Sequence, residues 1–141
     1  MIKANELRIG NHVLYKPYGN RDGELVTIAG LEGMKAYFSK YSNESGMFHN
    51  LRPIPLTPEI LEKCGFVKES DRWRPYDGEA DGVLYTMPGM QIIVDRENGT
   101  FHRLTTANEN EYGYYDCEIK YLHQLQNLFF ALTGEELSVQ L

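Results

Sequence analysis

Ile119, Leu122, Leu125, Phe129 and Leu132 recur at three- and four-residue spacing, with Leu128 beside them. That is the helical period, so the spacing predicts a helix with one wide apolar face, stopped by Gly134. Lys120, Gln124 and Asn127 fall on the opposite side, with His123 near the boundary. Such a helix is stable only when its stripe is laid on another apolar surface. The rest of the chain must therefore supply a sheet for it to cover.

Strand patterns are present on both sides of a proline-stiffened connector. His12-Val13-Leu14-Tyr15-Lys16, Glu24 to Ala29, Lys35 to Ser39 and Phe48 to Leu51 alternate and are separated by Gly, Asn, Asp and Ser. This predicts short antiparallel strands that curl into a small open barrel, of SH3-like type. Pro53 and Pro55 then hold the chain extended, and Thr57-Pro58-Glu59 is a strong helix start. Gly65 ends that short helix as a left-handed cap, with Phe66 placed to fold back on Ile60 or Leu61. From Trp73 to Leu104 the pattern is an antiparallel meander, turning at Pro88-Gly89 and Asn98-Gly99. The second turn, centred on its two residues, pairs Asp95 with His102. The polar stretch Thr105 to Asp116 is expected to be a loop.

The expected fold class is α+β: a small N-terminal SH3-like β-barrel or sheet, a short linking helix, and an antiparallel β-meander covered by a C-terminal helix. Residues 1–56 form the first part and 57–141 the second, either as two cores or as a single domain. A chain of 141 residues, 42% of them apolar, can bury such a core without staples.

Charge divides along the same line. Residues 1–56 carry a net +2 and residues 57–141 a net −8, within the total of −6. That balance disfavours phosphate binding by the whole chain, leaving at most a local basic stripe on the first part. The longest apolar run, Leu128 to Leu132, is too short to span a bilayer, so no membrane partner is expected. The charged N-terminus shows no secretory signal core. Cys64 and Cys117 lie far apart in unlike contexts and are read as reduced thiols, which points to the cytoplasm.

Three blocks carry a resemblance: Asn5-Glu6-Leu7-Arg8-Ile9-Gly10-Asn11, then Pro53-Ile54-Pro55-Leu56-Thr57 through Phe66, then Tyr121-Leu122-His123-Gln124-Leu125-Gln126-Asn127-Leu128 through Leu137. Together they resemble a family of small proteins, without an assigned activity, of gut Bacteroides-type bacteria and their phages and mobile elements. The blocks cover roughly a third of the chain. The resemblance implies a setting, a cytoplasmic accessory protein of a mobile genome, and carries over no catalytic residue.

The chemistry-bearing patterns are weak. Asp77-Gly78-Glu79-Ala80-Asp81-Gly82 imitates the opening of a calcium loop, but its twelfth position is Pro88, where the cage needs a bidentate Glu. A solvated acidic turn is the better reading. Asp95 facing His102 has the composition of an acid/base pair but no third group to act on. The phosphate-cradling glycine loops, the serine elbow and the zinc spacings are absent, so neither a metal nor a cofactor is expected.

Binding residues are more plausible than catalytic ones. The N-terminal aromatics Tyr15, Tyr18, Tyr37 and Tyr41, rimmed by Lys16 and Lys35, are of the kind that small barrels use to stack bases or grip peptides. His123, Gln124, Gln126 and Asn127 form a polar, amide-rich strip on the last helix, and Phe130 lies off its apolar stripe. The leading expectation is a non-enzymatic accessory protein that binds a host or phage protein. The alternative is a small-ligand binder sequestering a nucleotide-like signal, with Arg72, Arg74 and Arg103 to pair it. Nucleic-acid binding through the barrel comes third. Oligomeric state is left open.

Overall fold

Two five-stranded antiparallel sheets and two α-helices give the chain an α+β fold. The computed structural model describes residues 2–17, 22–39, 45–73, 82–106 and 113–141, with the side chains of 72–73, 105–106 and 113–116 left out. Tyr18, Arg21, Lys40, Tyr41, Arg74, most of the acidic turn at 77–82 and the Trp73 side chain lie outside the described residues. The chain divides into two compact units, Met1–Pro55 with Tyr121–Leu128 and Leu56–Lys120 with Phe129–Leu141.

In the first unit β1 (His12–Tyr15), β2 (Glu24–Glu32), β3 (Lys35–Phe38) and β4 (Ser45–Met47) form a meander. A 3-10 turn over Phe48–Asn50 then leads into β5 (Leu51–Arg52), which returns to pair with β1, giving the order β4-β3-β2-β1-β5. No β4–β5 pairing closes this sheet among the described residues. Phe48 to Leu51 is therefore not the single strand its alternation suggested, and Ser45 and Gly46, part of the polar stretch before it, begin a strand. Local polarity hid both, because such short strands are defined by their pairing and not by their own residues. Val13, Val26, Ile28, Ala36, Phe38 and Leu51 alternate inward, and Ile2 and Leu7 complete the core. Arg52 Nη1 donates to the carbonyls of His49 (2.6 Å) and Leu51 (2.9 Å), which satisfies acceptors at the β5 edge.

In the second unit α1 (Pro58–Lys63) starts where its cap requires: Thr57 Oγ1 accepts from the Ile60 amide at 3.2 Å. It ends at Gly65, whose φ of +94° lets the Phe66 amide reach the Leu61 carbonyl and the Gly65 amide the Glu62 carbonyl, each at 3.0 Å. The strands β6 (Val67–Trp73), β7 (Gly82–Met87), β8 (Met90–Asp95), β9 (Phe101–Thr106) and β10 (Gly113–Ile119) follow in simple meander order. Ile92 and Ile93 are successive residues of the central strand, so they face opposite sides, and both are fully buried. Leu56, Leu61, Phe66, Tyr85, Phe101, Leu104, Ile119, Phe129 and Leu137 are also buried in this unit.

Two expectations are corrected here. Thr105–Thr106 and Gly113–Asp116 are strand, paired as Thr106↔Gly113 and Thr105↔Tyr114, so the expected loop does not extend over these residues. The hairpin at Asn98-Gly99 does not pair Asp95 with His102. His102 stands opposite Ile93, while Asp95 folds into the turn and its carboxylate accepts the amides of Glu97 (2.8 Å) and Asn98 (3.2 Å). An Asp side chain able to cap its own turn outcompetes the two-residue turn that the Asn-Gly pair favours.

The last helix, α2 (Leu122–Thr133), is stopped at Gly134 as its period predicts, with φ +74° there. Ile119 belongs to β10, and Leu132 is 44% exposed. The buried positions are Leu122, His123, Leu125, Gln126 and Phe129. The face turned inward is thus partly polar.

Gly46 supplies the stability test for the first unit. A Cβ at this position would overlap the Tyr15 ring and stand 3.1 Å from Phe38 Cζ, whereas at Gly30 it would make an ordinary 3.6 Å contact with Tyr37. Urea unfolding should show Gly46→Ala destabilised by about 1–3 kcal/mol, with Gly30→Ala close to wild type.

Candidate functional site

The densest polar constellation of the first unit is an amide clasp. Arg8 to Asn11 forms a tight turn in which Asn11 Oδ1 accepts the Arg8 amide at 2.7 Å and the Asn11 amide reaches the Arg8 carbonyl at 3.1 Å. Gly10, at φ +96°, lets the chain reverse there and hand its amide to the Ile28 carbonyl of β2. The turn consequently presents the Gly10 carbonyl and the His12 amide side by side.

Gln126 bridges those two groups. Its Oε1 accepts the His12 amide at 2.8 Å and its Nε2 donates to the Gly10 carbonyl at 3.0 Å. One helical position on, Asn127 Nδ2 donates to the Glu6 carbonyl and Asn127 Oδ1 accepts from Asn11 Nδ2, both at 2.8 Å. Gln126 is 1% and Asn11 0% exposed. Buried amides are tolerated because both ends of each are paired. The same helix is anchored at its start, where the Leu122 amide donates to the Ile54 carbonyl at 2.9 Å and Pro55 bridges to Tyr121. Gln124 Oε1 accepts the Tyr121 amide at 3.2 Å, covering a donor at the helix entrance.

Of the expected binding residues, several are committed inside the protein. Asn127 is a clasp residue, Gln124 caps the helix start, and His123 is 1% exposed, its ring stacked on Tyr121 at 5.9 Å and 8°. Tyr15 is half-buried and packs on Phe38 with centroids 5.1 Å apart. Lys16 is half-buried, its stem lying beside Gly23. Sequence reasoning missed Gln126 and Asn11 as buried partners. The available signal was Gln126 lying four residues after Leu122, on the inward stripe.

Tyr37 and Lys35 are different. They alternate on one side of β3 with Ala36 and Phe38 buried behind them, and both are exposed. Register puts Glu32 opposite Lys35, and the Tyr37 hydroxyl donates to Glu32 Oε2 at 3.1 Å. That bond holds the phenol proton above its ordinary pKa. Between the strands the turn Gly33-Met34 leaves Met34 68% exposed, and Leu31 and Tyr37 are each 38% exposed. The tip is held in place, since the Phe48 amide donates to the Met34 carbonyl at 3.1 Å. Phe130, in the other unit, is 39% exposed.

Titratable groups elsewhere are occupied by structural roles. His12 Nδ1 bonds Thr27 Oγ1 at 2.9 Å and burial lowers its pKa, while His102 Nε2 bonds Thr100 Oγ1 at 2.8 Å. Burial pushes the Cys64 thiol up to about 12, which keeps it protonated and unreactive at neutral pH; Cys117 is exposed. Among the described residues no group of three His, Cys, Asp or Glu is placed to hold a metal ion, and no helix is long and apolar enough to cross a membrane. Compared with known proteins, the chain matches no family model, no curated protein and no solved structure.

Replacing Gln126 with Leu keeps the bulk but strands the part-buried Gly10 carbonyl and His12 amide. At about 1–3 kcal/mol for each orphaned group, Gln126→Leu should cost about 2–6 kcal/mol in chemical denaturation. A loss below about 1 kcal/mol would show that the clasp does not hold the helix.

Proposed function

We propose that the chain is a non-enzymatic accessory protein of a phage or mobile element that binds a host or phage protein through the β2–β3 hairpin of its first unit. The observation that carries this reading is the set of exposed apolar residues on one anchored hairpin: Leu31, Met34 at its tip, and Tyr37. Exposed apolar groups on a rigid element serve as anchors for a pocket on another protein. A projecting tip encloses no small molecule. Lys35 pairs in register with Glu32, which gives no stripe of cations for a phosphate backbone. The setting comes from the three resembling blocks, and Met34 and Tyr37 lie outside them.

We read the first unit as an SH3-like barrel left open. What supports this is the order β4-β3-β2-β1-β5, in which the last strand returns to the first, with a 3-10 turn immediately before it.

A photo-crosslinking amino acid placed at Met34 should capture one discrete protein from a bacterial host extract. The same group at Glu97, an exposed turn position, should not. Met34→Asp should weaken co-purification of that protein at least tenfold, as loss of a hot spot of about 2 kcal/mol requires. Identical adducts from both positions, or none, would sink the reading.

A second reading, a binder of a nucleotide-like ligand, is favoured by an open cleft of about 470 Å³ in the second unit. Met87, Gln91, Arg103 and Leu132 are among its lining residues, giving apolar walls with an amide and a guanidinium. A ligand held there at hundredfold excess over its Kd should raise Tm by on the order of 10 °C, an effect lost in Arg103→Gln. No shift with any member of a nucleotide panel at millimolar concentration would remove this reading.

A further inference from the structure

The clasp that holds α2 contains one group whose chemistry does not match its surroundings. His123 is 1% exposed, and neither of its ring nitrogens has a hydrogen-bond partner. It lies in the first turn of α2, three and four residues before Gln126 and Asn127, the two amides that grip the N-terminal turn. We propose that His123 makes this grip acid-sensitive, so that protonation of its imidazole opens the contact between the start of α2 and residues 6–12.

The argument is one of solvation and field. A neutral imidazole buried here leaves one N–H unsatisfied, a modest cost, and its face is used against Tyr121. An imidazolium brings two N–H donors and a full charge, and among the described residues neither ring nitrogen has a hydrogen-bond partner. Its place in the first helical turn adds to the penalty, because the unpaired amides there form the positive end of the helix. The charged groups on the facing segments do not reverse this. Glu6 favours the charged ring, but its carboxylate already accepts the Lys3 amide at 2.9 Å. Arg8, whose Nη2 lies 3.4 Å from the Gln126 carbonyl, adds positive charge to the same region. From β1 comes His12, half-buried and bonded to Thr27, and from the residues beside His123 itself comes Tyr121.

The direction follows. Burial lowers the His123 pKa, so the closed form binds the proton less readily than the open form. Closure is therefore complete above the ordinary histidine value of about 6.5 and weakens as pH falls from there towards the lowered value. Within that window the opening constant rises by up to tenfold for each unit of pH. Above it, pH has no effect through this group.

One backbone amide reads the opening directly: that of His12, donated to Gln126 Oε1. Hydrogen exchange of the full chain, corrected for intrinsic rates, should show it losing protection by up to tenfold per unit between pH 6.5 and 5. His123→Phe, which keeps a ring to stack on Tyr121, should flatten that dependence, and His12→Gln should leave it in place. Exchange that is independent of pH in the wild type would overturn the proposal, as would a dependence that survives His123→Phe or disappears in His12→Gln. Should His123→Phe fail to fold, the ring resonances of the wild type decide. Titration of His123 below the ordinary histidine value, in step with the loss of protection, supports the proposal. Titration at or above that value overturns it.

Discussion

The first unit depends on two side-chain amides that substitute for a strand. Residues 6–12 run past the start of α2, and a backbone there with unpaired groups would be costly to bury. Gln126 and Asn127 supply a donor and an acceptor each, aligned by being adjacent on one helix. Nothing shorter than Gln could bridge the His12 amide and the Gly10 carbonyl from that position. The arrangement needs the turn at Gly10 and Asn11 to present those groups, and the turn needs Asn11 to hold itself closed. Each partner is therefore specified by the other across more than a hundred residues of sequence.

This reciprocity joins three separate stretches of sequence. Asn5 to Asn11, Pro53 to Pro55 and Tyr121 to Leu128 meet in one unit, through the clasp, the Ile54 carbonyl and the bridge from Pro55 to Tyr121. Their role is packing. The β2–β3 hairpin tip with Met34 lies outside them.

Features written in local chemistry were legible in the sequence. Thr57-Pro58 and Gly65 bracket α1 because a cap, a fixed φ and a left-handed stop act within a few residues. Pro88-Gly89 gives a two-residue hairpin with Met87 opposite Met90 for the same reason. Features settled by pairing were not legible. β4 and the start of β10 look polar, and only their neighbours make them strands. The Asn98-Gly99 hairpin was visible as a turn, but its register was decided by where the Asp95 carboxylate went. On α2 the period locates the helix, whereas the polar strip of His123, Gln124, Gln126 and Asn127 gives no sign that His123 and Gln126 are buried. An amide whose two ends both meet backbone partners is as much a core residue as a leucine, and no hydropathy pattern distinguishes it from a solvated one.

The same accounting bears on the kind of function. A catalytic group must be held near substrate with its reactive atom uncommitted. In the described residues Asp95 is folded into its own turn, His12 and His102 bond neighbouring threonines, Cys64 is buried as a thiol, and Asn127 and Gln126 are spent on the clasp. The β2–β3 hairpin instead faces outward, with Leu31, Met34 and Tyr37 exposed beside Glu32 and Lys35. In the proposed role, covering Leu31, Met34 and Tyr37 would gain free energy, with affinity set by how well a partner's pocket fits a protruding thioether and a phenol. Because the hairpin is fixed by the sheet and by the Phe48 amide, little conformational entropy would be lost on such docking. Rigidity in the scaffold and adaptability in one methionine suit that proposed role.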